Sequence, residues 1–418
     1  MSPSLTAGRQ RPLRRPPLRL GYTAAGARRL APLILAAAAA CGPRPVQAPP
    51  PTVRPLEPTL RETLRSVEAA THPLKPAVRV CAGGDVMLGN NLDTLWAARA
   101  SARLGWRVPP FPDPDSLLAP LTPLVADTDV ILFNIEGAIG EGPAPRKCRP
   151  GSTTCYAFRQ PTDAAASLSR FAYPAAIVAN VANNHAMDAG ADGFAATVAH
   201  LNAAGAFVTG ADSLATPVPL LGGDTLAVLG FSPFRAGPDP RDTAAVRRHV
   251  ARASARYRWV VVTMHTGAEG AGAERTPDAV EMFLGEDRGN SVAIARAAVD
   301  AGASLVVGHG PHVLRGHEWR GDALVLYSLG NLLTYGPFNL RDPRDRGAIA
   351  CATLATDGAV KEAVLHSTWQ RPPGLVAPDA TGRGAVLVDS LSRLDFPQTA
   401  GWVTAEGAVL PPGEDSDR

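Results

Sequence analysis

Six short apolar runs between residues 78 and 331 each stop at a cluster of glycine and polar, ligand-capable residues, and this repetition constrains the fold more than any other feature. Val78-Arg79-Val80-Cys81 leads into Gly83-Gly84-Asp85, and Val130-Ile131-Leu132-Phe133 into Asn134-Ile135-Glu136-Gly137. Ala176-Ile177-Val178-Ala179 precedes Asn183-Asn184-His185, and Trp259-Val260-Val261-Val262 runs into His265-Thr266-Gly267-Ala268-Glu269. Leu305-Val306-Val307 ends in Gly308-His309-Gly310-Pro311-His312, and Leu324-Val325-Leu326-Tyr327 stops at Ser328-Leu329-Gly330-Asn331. Helical patterns near 191–204 and 290–301 lie between these runs. Strands alternating with helices predict α/β layers with buried central strands. The polar clusters then fall at the carboxyl edge, where open α/β sheets place their sites. Later, the runs Ala348–Ala355 and Ala363–Thr368, with Asp357-Gly358 between them, predict an antiparallel hairpin.

The strand ends supply Asp85, Asn134 with Glu136, Asn184 with His185, His265 with Glu269, and His309 with His312. Carboxylate, imidazole and amide oxygen together form the ligand set of divalent Mn, Zn or Fe, with no thiolate in line. Taken singly, Gly84-Asp85 also reads as a turn and Asn183-Asn184-His185 as a helix N-cap. Five such ends in one domain point instead to a shared metal cleft. His72, His200, His249, His317 and His366 fall outside these motifs and read as surface or structural residues.

The N-terminal region carries an address. Residues 1–29 hold seven arginines and no acid, and the apolar stretch Leu30 to Ala40 ends in small residues at Cys41-Gly42. That order is the n-region, h-region and cleavage site of a secretory signal. Cys41 after Ala38-Ala39-Ala40 resembles a lipoprotein lipobox, which would make Cys41 the lipidation site; a plain cleaved signal and an uncleaved anchor are the alternatives. From Pro43 to Pro58 seven of sixteen residues are proline, a composition for an extended tether and not for a core. The formal net charge is +3 over 418 residues; without the seven leader charges, residues 42–418 carry −4, which removes the case for nucleic-acid binding. No apolar run reaches the ~18 residues a membrane span needs, so a multi-span transporter is excluded. Cys148 and Cys155 bracket a turn-rich loop and leave a disulfide open, while Cys81 and Cys351 sit in strand-like runs and read as buried thiols.

The ordered series Gly84-Asp85-Val86-Met87-Leu88-Gly89, Asn134-Ile135-Glu136, Ala182-Asn183-Asn184-His185-Ala186-Met187-Asp188-Ala189-Gly190, His265-Thr266-Gly267-Ala268-Glu269, Gly308-His309-Gly310-Pro311-His312-Val313 and Tyr327-Ser328-Leu329-Gly330-Asn331 resembles the CapA family. These are capsule synthesis proteins associated with poly-γ-glutamate, within the calcineurin-like metallophosphatase superfamily. The resemblance covers about residues 78–370. It implies a four-layer α-β-β-α sandwich of the metallo-dependent phosphatase type and a location in the bacterial cell envelope, membrane-anchored as a lipoprotein or periplasmic to extracellular. It implies Asp85, Glu136, Asn184, His265, His309 and His312 as metal ligands, His185 as the acid for a leaving group, and Asn134, Glu269 and Arg315 as residues that orient ligands or touch substrate. Met87 stands where the superfamily's Asp-x-His start places a histidine, so one or two ions remain open.

The expected organisation is a signal peptide over 1–41, a proline-rich linker over 42–76, a CapA-like domain over 77–370 and a loosely packed tail over 371–418. Two functions follow. One is a metal-dependent, phosphoesterase-like hydrolase of the cell envelope in capsule or poly-γ-glutamate biosynthesis or export, acting on a phosphoester or an amide of an anionic polymer. The other is a non-catalytic accessory subunit that binds such a polymer and couples a membrane synthase to export.

Overall fold

The structure is a computed structural model and describes residues 76–89, 94–141, 147–148, 155–234 and 237–413. The expected leader, Cys41 and all but the last residue of the linker lie outside the described residues. Strands β1 (Ala77–Met87), β2 (Val130–Ile135), β3 (Ala176–Asn180) and β4 (Phe207–Thr209) come first, interleaved with helices α1 (Thr94–Leu104), α2 (Pro114–Leu118), α3 (Asp163–Arg170) and α4 (Gly190–Ala203). Strands β5 (Thr216–Pro219), β6 (Thr225–Phe231), β7 (Trp259–His265), β8 (Leu305–His309), β9 (His317–Arg320) and β10 (Ala323–Leu326) follow, with α5 (Thr243–Ser254) before β7 and α6 (Ser291–Asp300) before β8. Next come β11 (Asn331–Thr334), β12 (Arg346–Ala355), β13 (Val360–Arg371), β14 (Leu375–Pro378) and α7 (Arg383–Asp395).

Among the described residues these strands form two sheets. One has eight strands in the order β14-β13-β12-β1-β2-β3-β4, with β11 also paired to β1; the other has six in the order β9-β10-β8-β7-β6-β5. Alternate side chains of a strand face opposite sides, and the apolar residues divide accordingly. Val78, Val80, Ala82, Val130 and Leu132 of the first sheet share one core with Leu226, Val228, Val261, Leu305 and Val307 of the second. Cys81, Ile131 and Phe133 face the other way, onto Leu117, Leu168 and Leu201 of α2, α3 and α4. Ala227, Val260, Val262 and Val306 pack on Val246, Val250, Ile294 and Ala298 of α5 and α6. The layer order is therefore α-β-β-α, the sandwich that the resemblance implies. The hairpin of β12 and β13 pairs antiparallel, as expected.

Three expectations change. The first strand does not stop before Gly83-Gly84-Asp85. That segment lies inside β1, because the strand is central and keeps partners on both sides; its register to β2 breaks between Ala82 and Asp85. Cys81 and Cys351 are not thiols: they stand directly opposite each other on β1 and β12 and form a disulfide with Cα atoms 3.9 Å apart. Their separation of 270 residues left no local signal. Cys148 and Cys155 are also bonded. Residues 371–413 are not a loose tail. β14 extends the first sheet, and α7 brings Ala385 and Val388 into the core between the sheets. The helical pattern was weak in sequence because the buried face of α7 also carries Gly384, Asp389 and Ser392.

Replacing both Cys81 and Cys351 by alanine removes a cross-link that closes most of the domain. The expected loss is about 2–5 kcal/mol of unfolding free energy, measured by denaturant titration of oxidised protein, with native circular dichroism retained before the transition.

Candidate functional site

The strand order sets the site. Asp85 of β1 is in register with Asn134 of β2 on one side and Asn331 of β11 on the other. In the second sheet His309 of β8 is in register with His265 of β7. Two glycines permit the close packing. A Cβ on Gly84 would lie 2.2 Å from the carbonyl oxygen of Gly330, and one on Gly308 would lie 2.1 Å from that of Tyr327. Each precedes a site residue, and the N–H of Asp85 donates to Gly330 O at 2.9 Å.

Asp85, Glu136 and His312 each present a ligand atom within 4.8 Å of the other two. Asp85 and Glu136 are buried, at 0% and 3% exposure. His312 Nε2 lies 3.4 Å from Glu136 Oε1, and its Nδ1 is 3.0 Å from Asp85 Oδ2. That Nδ1 also faces Asn331 Oδ1 at 3.1 Å. His312 has φ of 57°, in the left-handed region that non-glycine residues adopt rarely; this turn aims its imidazole between the two carboxylates. His309 Nδ1 is 3.5 Å from Asp85 Oδ1. His265 is joined through Asn134, whose Nδ2 lies 2.8 Å from Asp85 Oδ1 and 3.2 Å from His265 Nδ1. Asn184 stands on the other side, with Nδ2 donating to Glu269 Oε1 at 3.3 Å.

The donor set suits a cation. Asn184 Oδ1, His265 Nε2 and His309 Nε2 are buried without a hydrogen-bond partner, and Asp85 Oδ2, Glu136 Oε1 and His309 Nδ1 have only the imidazole–carboxylate contacts given above. Orphaned polar atoms are costly in a protein interior, and these atoms come from all six residues of the expected ligand set except His312. Charge tells the same story. Burial pushes the Glu136 carboxyl well up, and Asp85 and Glu269 add repulsion that His312 only partly offsets. Burial acts to raise Asp85 too, but the attraction of His309 and His312 outweighs it and holds that carboxyl well below its ordinary value. Burial lowers His265 well below the usual imidazole range, leaving neutral nitrogen, the form that binds metal.

His185 sits at the edge of this cluster, with Nε2 3.9 Å from Glu136 Oε1. Its Nδ1 is 2.6 Å from Asp188 Oδ2, so the carboxylate fixes the ring and turns Nε2 toward the cleft. Asp188 also accepts from Phe158 N at 2.8 Å and from Lys147 Nζ at 2.8 Å. Burial lowers the His185 imidazole, and Asp188 opposes the shift.

Sequence reasoning named neither Asp188 nor Lys147 for a role; the spacing of three between His185 and Asp188 was the available signal for the first. It also missed Asn180 and Asn183, whose Nδ2 groups donate to Asn134 Oδ1 at 2.9 and 3.2 Å and so orient that amide. Glu269 accepts from Arg288 Nη1 at 2.7 Å and lines the cleft. Arg315 lies beneath the cleft. Its guanidinium is buried against Glu281 at 2.6 and 2.8 Å and donates to Ala273 O at 2.7 Å, so it ties down the loop after β7 and offers no surface to a substrate. Thr266 is likewise buried, paired with Ser291 at 2.9 Å.

The family model for the bacterial capsule synthesis protein PGA_cap matches residues 79–335, which contain every one of these candidate ligands. The chain belongs to that family. Over 172 residues it is 31% identical to the PGA biosynthesis protein CapA of Bacillus subtilis (strain 168), covering 37% of this chain and 42% of that protein. It is 33% identical over 128 residues to the uncharacterized protein y4sH of Sinorhizobium fredii, covering 29% of this chain and 25% of that one. The chain thus spans less than half the length of these relatives. Among solved structures, a putative 5'-nucleotidase from Staphylococcus aureus in complex with alpha-ketoglutarate aligns with a TM-score of 0.40 at 13% identity, covering 72% of this chain and 54% of that one.

Purified protein incubated with Mn or Zn is expected to retain the ion through desalting, measured by elemental analysis. Asp85→Ala and His312→Ala should each lower the affinity at least tenfold, whereas His366→Ala, outside the cleft, should leave it unchanged.

Proposed function

We propose that this PGA_cap protein is a metal-dependent phosphoester hydrolase of the bacterial cell envelope, working in capsule or poly-γ-glutamate biosynthesis or export. The observation that carries the reading is the cluster of Asp85, Glu136 and His312, ringed by orphaned buried donors, with the Asp188-oriented His185 beside it. Asp85, Glu136 and His312, with His265, His309 and Asn184 around them, would hold a divalent cation, which when bound would offset charge on phosphoryl oxygens and lower the pKa of a water. The chain's own residues do the rest. Glu269 and Asn134 keep the surrounding amides and imidazoles in place. His185 faces the ester from Nε2. As water oxygen bonds to phosphorus and gives up a proton to solvent, the ester P–O bond breaks, and its electron pair leaves on the alcohol oxygen, which takes the Nε2 proton of His185. A phosphoryl anion next to the ring raises the imidazole that burial alone keeps low, so substrate itself charges the acid.

Two disulfides support export, since such bonds persist in oxidising compartments. Among the described residues no helix is long and apolar enough to cross a membrane. In this reading the membrane attachment is through Cys41, which lies outside the described residues. Continued membrane association of the Cys41→Ser protein in cell fractionation would remove that part of the proposal; release to the soluble fraction is expected.

One observation favours the accessory role instead. Among the described residues a single cluster can hold an ion through acidic and imidazole groups, and Met87 occupies the position of a further histidine. In that case the cleft would hold an anionic polymer and couple a membrane synthase to export without turning it over. Hydrolysis of bis(p-nitrophenyl) phosphate with Mn or Zn separates the two. The hydrolase shows metal-dependent turnover that falls by roughly 10²–10⁴ in His185→Ala and by a smaller factor in Asp188→Asn. Metal binding without turnover, together with polymer binding that His185→Ala leaves intact, would establish the accessory role.

A further inference from the structure

Glu136 and His312 of the candidate ligand set line a cleft of about 390 Å³, and one of its walls is aromatic. The wall begins at His185. Phe158 lies against that imidazole with ring centroids 4.2 Å apart. Phe338 packs on Phe158 at 5.1 Å, and Tyr156 stacks on Phe338 at 6.2 Å with planes only 16° apart. Tyr156 also lies 6.1 Å from Phe158, so the three rings form one cluster beside the acid. Phe158 is buried, Phe338 half-buried and Tyr156 43% exposed. Exposed aromatic surface forgoes the stabilisation that burial gives, and here it is turned into a cleft that also contains Glu136 and His312.

The backbone holds this wall in place. Phe158 N donates to Asp188, the same carboxylate that orients His185. The disulfide Cys148–Cys155 ends immediately before Tyr156. On the same cleft, Arg344 has no ion pair with a carboxylate among the described residues, whereas Arg346, two residues on, is paired with Asp342.

This placement says what departs from the phosphorus. If His185 protonates the leaving oxygen, the group attached to that oxygen must continue past the imidazole, and Phe158 is the surface it meets next. Phe338 and Tyr156 follow. A run of ring faces binds a flat apolar face; a linear chain of carboxylates offers none. Resting on the phosphoester reading above, we propose that Tyr156, Phe158 and Phe338 form a leaving-group subsite for a ring-bearing alcohol. The substrate class is then a phosphoester whose alcohol is a sugar or an aryl ring, with Arg344 placed to meet a further anionic group on it.

The test measures binding, so that leaving-group reactivity does not enter. Mn-loaded protein is titrated calorimetrically with methylphosphonate, phenylphosphonate and a glucosylmethyl phosphonate. The expected result is that at least one ring ligand binds ten times or more tightly than methylphosphonate. That advantage should shrink below threefold in Phe338→Ala and in Tyr156→Ala, while both variants keep the wild-type affinity for methylphosphonate, which also reports that they are folded. Which ring ligand wins tells sugar from aryl. Equal affinity for all three, within twofold, overturns the leaving-group subsite and leaves the phosphoester reading standing. Absence of binding by any phosphonate at millimolar concentration overturns the phosphoester reading, and the subsite with it.

Discussion

Two carboxylates taken almost fully out of water set the terms for the rest of this molecule. Asp85 and Glu136 are buried side by side at the meeting of two sheets. An unpaired buried charge costs several kcal/mol, and two of like sign repel as well. Everything around them acts to offset that cost: His312 enters between them from a left-handed turn, His309 approaches Asp85, and Asn134 gives it a hydrogen bond. Asn184, His265 and His309 of the candidate ligand set also carry buried polar atoms without a hydrogen-bond partner.

Holding that cluster requires the sandwich. The residues come from both sheets, which meet along a core of valine, leucine and alanine. Each sheet is backed by its own helices. With both faces covered, the central strands have no freedom to slip, because a shift of one residue would turn Asp85 and its neighbours to the wrong face. The disulfide between β1 and β12 lies only four residues before Asp85 on the same strand and pins the register further.

Much of the site was legible before the structure. Asp85, Glu136, His265, His309 and His312 could be picked out because each follows an apolar run, a local pattern that holds even though β1 continues through Asp85. Residues that orient others were harder. Asn180 and Asn183 matter through one amide on another strand, and Lys147 through a carboxylate 41 positions away. Arg315, which the resemblance implied as orienting ligands or touching substrate, has its donors taken up by Glu281 and loop carbonyls, a set of contacts that no local pattern announces. The segment after residue 370 was read as loose because α7 buries small and polar groups, which leave little apolar periodicity.

The sequence by itself determined the alternation of strands and helices, the two-residue period that sends side chains to opposite faces, and the kinds of atom available at the strand ends. These are local properties, set by neighbouring residues. Only the tertiary structure decided which strands lie together, and so which of those atoms converge. Asp85 meets Asn134, Asn331 and His312 through sheet pairing and turns that join parts of the chain far apart in sequence. The same pairing made a disulfide of two cysteines 270 residues apart, and ring contacts between distant segments made a wall of Tyr156, Phe158 and Phe338. Contacts of that range depend on how the whole chain closes its core, which no local pattern specifies.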